Sequence, residues 1–214
     1  MQIFIEIGLI AVLLVISFLY IEKIGWDNNK YSKKRLFIYH MIMFSVLVGI
    51  SIELNLLYES NTLIHNIKLI ILLCGITTLA WKDFHDYKIP NEVILVLVGL
   101  RFIIMVVELV TMKKEFFSTF KECMLSCLAI GVFLIIVHFV FKNSIGMGDI
   151  KLLMVMALYE GFFGSFCAIF FSMIIVCILG IALMIAKKKG RKDVLPFAPA
   201  VLVGTCLSII MTGI

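Results

Sequence analysis

The stretch "IKLLMVMALYEGFFGSFCAIFFSMIIVCILGIALMIA", residues 150–186, decides how often the chain crosses a membrane. It is apolar almost throughout, and its main interruption is "YEGFFG", residues 159–164. A single helix over the whole stretch would be about 55 Å long, whereas a bilayer core of about 30 Å takes about 20 helical residues. We therefore predict two helical segments that meet at residues 159–164.

The composition extends this interpretation to the whole chain. Of its 214 residues, 63% are hydrophobic and 15% are charged, and the mean hydropathy is +1.14. A soluble domain carries about 25% charged residues, so this balance indicates an integral membrane protein. Eight apolar runs lie near residues 3–21, 36–57, 63–81, 93–111, 123–141, 150–160, 163–186 and 197–213. We predict an all-α, polytopic membrane protein with about eight transmembrane helices, in which residues 1–214 form one membrane domain without a separate soluble domain.

Basic residues predict the orientation of these spans. The loops at residues 22–35, 82–92, 142–151 and 187–196 share one side and contain fourteen of the nineteen lysines and arginines. Because Lys and Arg in short loops remain cytoplasmic, we expect these loops in the cytoplasm and both termini on the outer side. The first run has no basic residue before it and no small-residue cleavage signal after it, so we expect a retained helix. Anionic lipid accounts for the net charge of +5 without any nucleic acid.

Two of the cytoplasmic loops contain an aspartate at the end of a span. "WKDFHDYKIPNE", residues 81–92, contains Asp83, and "KNSIGMGDIK", residues 142–151, contains Asp149. Carboxylates are costly near hydrocarbon, which makes each of them a candidate functional residue. Two aspartates can hydrolyse a peptide bond, since one takes a proton from water while the other protonates the carbonyl. We therefore predict that Asp83 and Asp149 form a catalytic pair.

The residues around the two aspartates differ. Gly146 and Gly148 carry no side chain, so another segment can approach the start of the helix that contains Asp149. Asp149 falls in the first turn of that helix, where unpaired N–H groups favour a negative charge. Asp83 lies at the C-terminal end of the third span, and Pro90 stops one helix and starts the next. The two carboxylates are thus expected in unlike electrostatic settings at the same membrane face, with Asp149 as the base and Asp83 as the acid in the resting state.

Both loops resemble the motifs of the type IV prepilin peptidases, which are membrane aspartyl proteases of the GxGD class. "DFHDYKIPN" is similar to the family's aspartate followed by Ile-Pro-Asn, and "GMGDIKLL" is similar to its GxGD motif. The two aspartates are 66 residues apart, and "LPFAPA", residues 195–200, is similar to a Pro-Phe-Gly-Pro stretch in which Ala198 replaces glycine. The resemblance implies that Asp83 and Asp149 are catalytic. It implies supporting motif residues at Pro90, Asn91, Gly146, Gly148 and Lys151.

The resemblance also implies a reaction and a substrate. A prepilin or pseudopilin would present a short basic leader in the cytoplasm ahead of a hydrophobic helix, and the enzyme would remove that leader at the cytoplasmic membrane face. The reaction would use water as the nucleophile and would need no metal and no cofactor. Localisation in the bacterial inner membrane and contact with membrane lipid follow, and the resemblance leaves a homo-oligomer open.

The larger members of the family differ from this chain in one respect. They carry a cytosolic domain between the first two spans, with two pairs of zinc-binding cysteines, and they N-methylate the new terminus. Here that loop is residues 22–35 and contains no cysteine. The six cysteines lie in apolar runs without a C-x-x-C pair, so we expect buried thiols and no metal site. Methyltransferase activity is therefore doubtful, and the chain resembles the short peptidase-only type found with Tad or Flp pili.

Two other functions are compatible with parts of the sequence. A presenilin-like GxGD protease would cut within a transmembrane helix, but the Ile-Pro-Asn spacing after Asp83 argues against it. A small transporter could use the charges inside the spans, which are Glu6, Glu53, Lys68, Arg101 and Glu108. For Lys68 and Arg101 we expect side chains that extend toward an interface. We interpret Asp86, the rival of Asp83, as a solvated residue or a contact for the basic leader.

Overall fold

The protein is described by a computed structural model that covers residues 2–26, 32–58, 61–111, 113–141, 145–186 and 195–213. Every regular element in these residues is a helix, and none is a strand. The helices are α1 (Gln2–Trp26), α2 (Lys33–Leu57), α3 (Leu63–Asp86), α4 (Asn91–Thr111), α5 (Lys113–Val140), α6 (Met147–Ile185) and α7 (Ala198–Thr212). The prediction of an all-α protein is thus confirmed for the part of the chain that the structure describes.

Six of these helices, α1 to α6, are long and apolar enough to cross a membrane. The seventh helix, α7, is apolar but has only 15 residues. Together they form a multi-pass membrane protein, as the composition predicts. Helix α3 is central, since 67% of its apolar window is buried inside the protein against 22% for α1. It contacts α1, α2, α4, α6 and α7, so it connects the two motif-bearing parts of the chain.

Helix α6 contains a break at Gly161. The residue has φ 73° and ψ −164°, outside the helical region. Glycine adopts a positive φ readily because it has no Cβ. The break separates two helices, α6a (residues 147–160) and α6b (residues 162–185). The interruption predicted at residues 159–164 is therefore present.

The chain reverses its direction at this break. In chain order, α6 contacts α7 and the residues just before it through three pairs: Met156 with Thr205, Gly164 with Ser208, and Gly180 with Leu195. As α6 passes from Met156 to Gly164, its partner moves forward from Thr205 to Ser208. At Gly180 the partner is Leu195, just before α7 begins. Consequently α6a runs parallel to α7, and α6b runs antiparallel to it.

Counting α6a and α6b separately gives eight helical segments in the described residues. Seven of them begin and end within five residues of the predicted apolar runs, whereas α5 begins at Lys113, ten residues before the run at 123–141. The reversal returns the end of α6b to the end of the bundle at which α6a starts. Three statements stay predictions: the eight membrane crossings, the outer position of both termini, and the assignment of residues 1–214 to one domain.

The helix termini define one end of the bundle, which we call the motif end. It contains the C-terminus of α3 and the N-termini of α4, α6a and α7, with residues Asp83, Asn91, Asp149 and Ala198. At the opposite end, the Gly213 carbonyl after α7 accepts a hydrogen bond from Asn61 Nδ2 at 2.9 Å, just before α3. Both sequence motifs therefore lie at the same end of the bundle.

A buried carboxylate, that of Glu6 in α1, joins three helices away from the motif end. It accepts hydrogen bonds from Ser51 Oγ at 2.5 Å and Asn55 Nδ2 at 2.8 Å, both in α2. It also accepts one from Asn66 Nδ2 in α3 at 3.0 Å. A charged group is tolerated in an apolar interior when it is hydrogen-bonded in this way. These bonds tie α1, α2 and α3 together.

Lys68 and Arg101 do not extend toward an interface, and this expectation was wrong. Their exposed fractions are 6% and 1%. The Arg101 guanidinium instead donates to Glu108 at 3.0 Å within the bundle. A basic side chain extends to water when no acceptor lies within its reach, and for Arg101 a carboxylate on the same helix face is available.

Gly204→Ala is expected to destabilise the packing of α6b against α7. A Cβ at position 204 would lie 2.7 Å from the backbone nitrogen of Ser172 and 2.8 Å from the carbonyl oxygen of Ala168. Overpacking costs about 1–3 kcal/mol, so the midpoint of thermal unfolding in detergent should fall. Gly99→Ala is the matched control, because nothing lies within 4 Å of a Cβ there. Equal midpoints for the two variants would contradict this packing.

Candidate active site

Asp83 is held by the beginning of α7. It lies in the last turn of α3 with an exposed fraction of 6%, and its Oδ2 accepts a hydrogen bond from the Ala198 N–H at 2.8 Å. The first N–H groups of a helix have no acceptor within the helix, and their partial positive charge favours a carboxylate. The N-terminus of α7 therefore fixes the position of the Asp83 carboxyl group.

The segment after Asp83 leaves α3 in a tight turn. Tyr87 adopts the left-handed conformation, with φ 52° and ψ 34°, and its N–H donates to the Asp83 carbonyl oxygen at 2.9 Å. A left-handed residue at this position ends a helix. Helix α4 then begins at Asn91, directly after Pro90. The predicted start of a helix after Pro90 is confirmed, whereas the preceding helix does not extend to Pro90 but ends at Asp86.

Asp149 is held by the start of its own helix. Gly146 is the N-cap of α6a, and Asp149, three residues later, has its carboxylate turned back to hydrogen-bond the Gly146 backbone. This is the acidic half of a capping box. A Cβ at position 146 would lie 2.9 Å from Asp149 Oδ2, so a larger residue there would displace the Asp149 carboxylate.

The two motifs pack directly against each other. A Cβ on Gly148 would lie 3.0 Å from the Ile89 Cβ, so the bare backbone at position 148 allows the α3–α4 junction to approach α6a. Next to this contact, Lys151 Nζ donates to Asn91 Oδ1 at 2.9 Å. Residues 89–91 and 148–151 therefore form one contact surface, although they are about 60 positions apart in the sequence.

This packing brings the two aspartates near each other. The charge of Asp83 acts on the Asp149 carboxyl group, so each carboxylate lies within electrostatic reach of the other. Two carboxyl groups that interact in this way take up and release protons as a pair. The arrangement can therefore hold one acid and one base on either side of a polarised bond.

The other titratable side chains of the first motif contact different partners. Asp86 Oδ2 lies 3.6 Å from Lys82 Nζ, with 15% of the Asp86 side chain exposed, so Asp86 is less solvated than we expected. The ring of His85 lies against that of Trp81, with centroids 4.2 Å apart and ring planes tilted by 32°. Asp83, and not Asp86, accepts the N–H at the start of α7. The lack of a metal and of a cofactor stays a prediction.

Sequence reasoning missed two contacts of this site. The resemblance of "LPFAPA" indicated residues 195–200, but the group that contacts Asp83 is a backbone N–H, which has no side-chain signature. Asn91 and Lys151 were recognised as motif residues, whereas their hydrogen bond to each other depends on the packing of α4 against α6a. Both contacts join segments that are distant in the sequence.

The fold and the site define a class of protein: a multi-pass helical membrane protein in which two separate motifs bring an aspartate each to one end of the bundle. The sequence model of the type IV leader peptidase family matches residues 70–181, which include both aspartates and both motifs. The chain belongs to this family. Membership in this family confirms the resemblance that we inferred from the two motifs.

A curated relative gives a second comparison. The chain is similar to the prepilin leader peptidase/N-methyltransferase of Bacillus subtilis (strain 168), with 26% identity over 129 residues. The alignment covers 60% of this chain and 49% of the relative. The chain thus spans about half the length of this curated relative. No solved structure matches the chain.

Proposed function

We propose that the protein is a membrane aspartyl endopeptidase that removes the leader peptide of type IV prepilins or pseudopilins. The observation that carries this proposal is the packing of residues 89–91 against residues 148–151, with the charges of Asp83 and Asp149 in reach of each other. Family membership supports a leader peptidase, and the pair of carboxylates supports acid–base hydrolysis.

In the proposed reaction, a water molecule between the two carboxyl groups is the nucleophile. One aspartate takes a proton from this water as it attacks the scissile carbonyl, and the other aspartate protonates the carbonyl oxygen. The tetrahedral intermediate collapses when the new amine leaves with a proton from the pair. The hydrogen bonds from Ala198 and Gly146 hold the two carboxyl groups in place, so little reorganisation is needed.

The distribution of basic residues supports a cytoplasmic position of the motif end. Lys33 and Glu22 form an ion pair of 2.6 Å where α1 ends and α2 begins, and Lys82 and Lys151 lie at the same end of the bundle. Lys and Arg beside spans are retained in the cytoplasm. A substrate whose basic leader stays in the cytoplasm, ahead of a hydrophobic helix, would present its scissile bond at this end in the inner membrane.

The buried charges give the transporter alternative less support. Arg101 and Glu108 form an ion pair of 3.0 Å, and the Glu6 carboxylate accepts three hydrogen bonds. Charged groups with such fixed partners stabilise helix packing, whereas a relay needs groups that exchange partners. The presenilin-like alternative differs in the cleavage position, which would lie inside the hydrophobic helix of the substrate.

The test is co-expression with a prepilin in a host that lacks its own leader peptidase. We expect a gel shift that corresponds to loss of the leader, and mass spectrometry of the product should place the cut ahead of the hydrophobic helix. The mass of the new N-terminus also shows whether it is methylated. An unprocessed prepilin contradicts the proposal, and a cut inside the helix favours the presenilin-like alternative.

A further inference from the structure

Arg101 lies in the middle of α4, and all three of its nitrogens donate hydrogen bonds. Nε donates to the Leu158 carbonyl at 2.8 Å, Nη1 to Glu108 at 3.0 Å and Nη2 to the Cys123 sulfur at 3.6 Å. Its exposed fraction is 1%. One side chain of α4 therefore contacts both α5 and α6a inside the bundle.

The carbonyl that Arg101 contacts belongs to a helix end. Helix α6a stops before Gly161, and the last four carbonyls of a helix have no regular donor four residues later. The Leu158 carbonyl is one of these four. A cationic donor at a helix C-terminus satisfies such a carbonyl and is favoured by the helix dipole. Arg101 thus caps α6a from a neighbouring helix.

A second contact strengthens this connection between α4 and α6a. The Tyr159 hydroxyl donates to the Leu97 carbonyl at 2.7 Å, and the Arg101 guanidinium lies 5.8 Å from the centre of the Tyr159 ring. Such a distance is typical of a cation–π contact. These contacts therefore fix the position of the C-terminal turn of α6a along the axis of α4.

The position of α6a along the axis of α4 determines where Asp149 lies. Asp149 is nine residues before Leu158, or about 14 Å along a rigid helix, so a shift at one end is transmitted to the other. At the motif end, α4 and α6a are joined by Asn91 and Lys151. The buried contact of Arg101 is the far anchor of the same helix pair.

We propose that Arg101 is a positioning residue for the reaction: by capping α6a it sets the position of Asp149 relative to Asp83. The inference rests on the proposed peptidase function, but it has a structural consequence of its own. Loss of the cap lets α6a slide or tilt against α4, and the two carboxyl groups then move apart. Arg101 touches no substrate and acts only through the helix.

Arg101→Met is expected to lower kcat for leader cleavage by about 10- to 100-fold with little change in KM, because a displacement of about 1 Å in a catalytic group has effects of this size. The pH profile of kcat distinguishes a positioning role from a purely structural one, because a loss of stability alone would leave the profile unchanged. Repulsion between two carboxylates separates the acidic and basic limbs of a bell-shaped profile, so the limbs should draw together when the carboxylates separate. Arg101→Lys, which keeps one donor for the Leu158 carbonyl, should fall between wild type and Arg101→Met.

Glu6→Gln is the matched control, since Glu6 is also buried but accepts its hydrogen bonds from α2 and α3, away from α4 and α6a. It should lower the unfolding midpoint and leave kcat and the pH limbs of the folded enzyme unchanged. Tyr159→Phe removes only the bond to Leu97 and should change kcat in the same direction as Arg101→Met, by less. It provides the test if Arg101→Met does not fold.

The helix position can be measured without activity. Nitroxide labels at Leu95→Cys in α4 and Met147→Cys in α6a, both exposed, report the distance between these helices after Cys127, Cys167, Cys177 and Cys206 are replaced by alanine. We expect Arg101→Met to shift or broaden this distance and Glu6→Gln to leave it unchanged. Wild-type kcat, pH limbs and label distance in Arg101→Met would overturn the inference. If wild-type protein cleaves no prepilin, the proposed function fails, and the label distance alone decides the role of Arg101.

Discussion

Asp83→Asn and Asp149→Asn are each expected to abolish leader cleavage, with kcat lowered at least about 100-fold. Asparagine keeps the size of the side chain and can still accept the Ala198 N–H through its carbonyl oxygen, so the packing at position 83 should survive. What it loses is the capacity to take up and release a proton. Gel-shift assays of the leader with purified, folded variants measure the effect.

Asp86→Asn is the matched control for this pair. Asp86 lies on the same turn of α3 and forms an ion pair of 3.6 Å with Lys82, whereas the Ala198 N–H donates to Asp83. Its variant should retain a kcat close to that of wild type, even if a lost contact with the basic leader raises KM. If either Asp83→Asn or Asp149→Asn still processes the prepilin fully, the catalytic pair is wrong. If only Asp86→Asn is inactive, the first aspartate of the pair has been misassigned.

Removal of the N–H group of residue 198 is expected to lower kcat by about 100-fold, because Asp83 loses one of the two backbone N–H groups, those of Phe197 and Ala198, that orient it. Replacement of Ala198 by lactate turns the backbone amide into an ester and removes this donor without adding an atom. Ala198→Pro removes it genetically. Proline is favoured at the first position of a helix, although Phe197 with ψ −37° lies in a conformation that residues before proline avoid.

Ala198→Gly is the control for both changes, because it keeps the N–H and supplies the residue that the Pro-Phe-Gly-Pro stretch has there. We expect it to cleave at a rate within a few-fold of wild type. The unfolding midpoints of all three proteins in detergent separate a loss of positioning from a loss of fold. Wild-type kcat for the ester variant would show that the Ala198 N–H does not position Asp83 for the reaction.

Much of the helical arrangement could be predicted because the bilayer imposes a strong pattern. Apolar runs mark the helices, and the length limit on a span forced a break in residues 150–186, which the structure places at Gly161. The reversal of the chain there depends on the packing of α6b along α7. The apolar pattern shows where the helices lie in the sequence, but it does not show which helices pack against each other.

The site was less accessible to sequence reasoning wherever its partners are backbone groups. The position of Asp149 in a first turn followed from the glycines before it, whereas the contact of Asp83 with the Ala198 N–H has no pattern in side chains. The burial of Arg101 was missed for a similar reason, since its partner at Leu158 is a carbonyl. One signal was available: Glu108 is seven residues after Arg101, so both lie on one face of α4.

The shortness of α6a and α7 has a consequence for the membrane around the protein. Each is about 21–22 Å long, they lie side by side, and an average hydrocarbon core is about 30 Å thick. Helix α6a is buried, but α7 exposes Val203, Leu207 and Met211, and hydrophobic mismatch of this size is relieved when lipids next to α7 thin the bilayer locally. Local thinning would bring the membrane–water interface closer to the two aspartates. We therefore expect hydrolysis to slow in vesicles made from lipids with longer acyl chains, which resist this thinning.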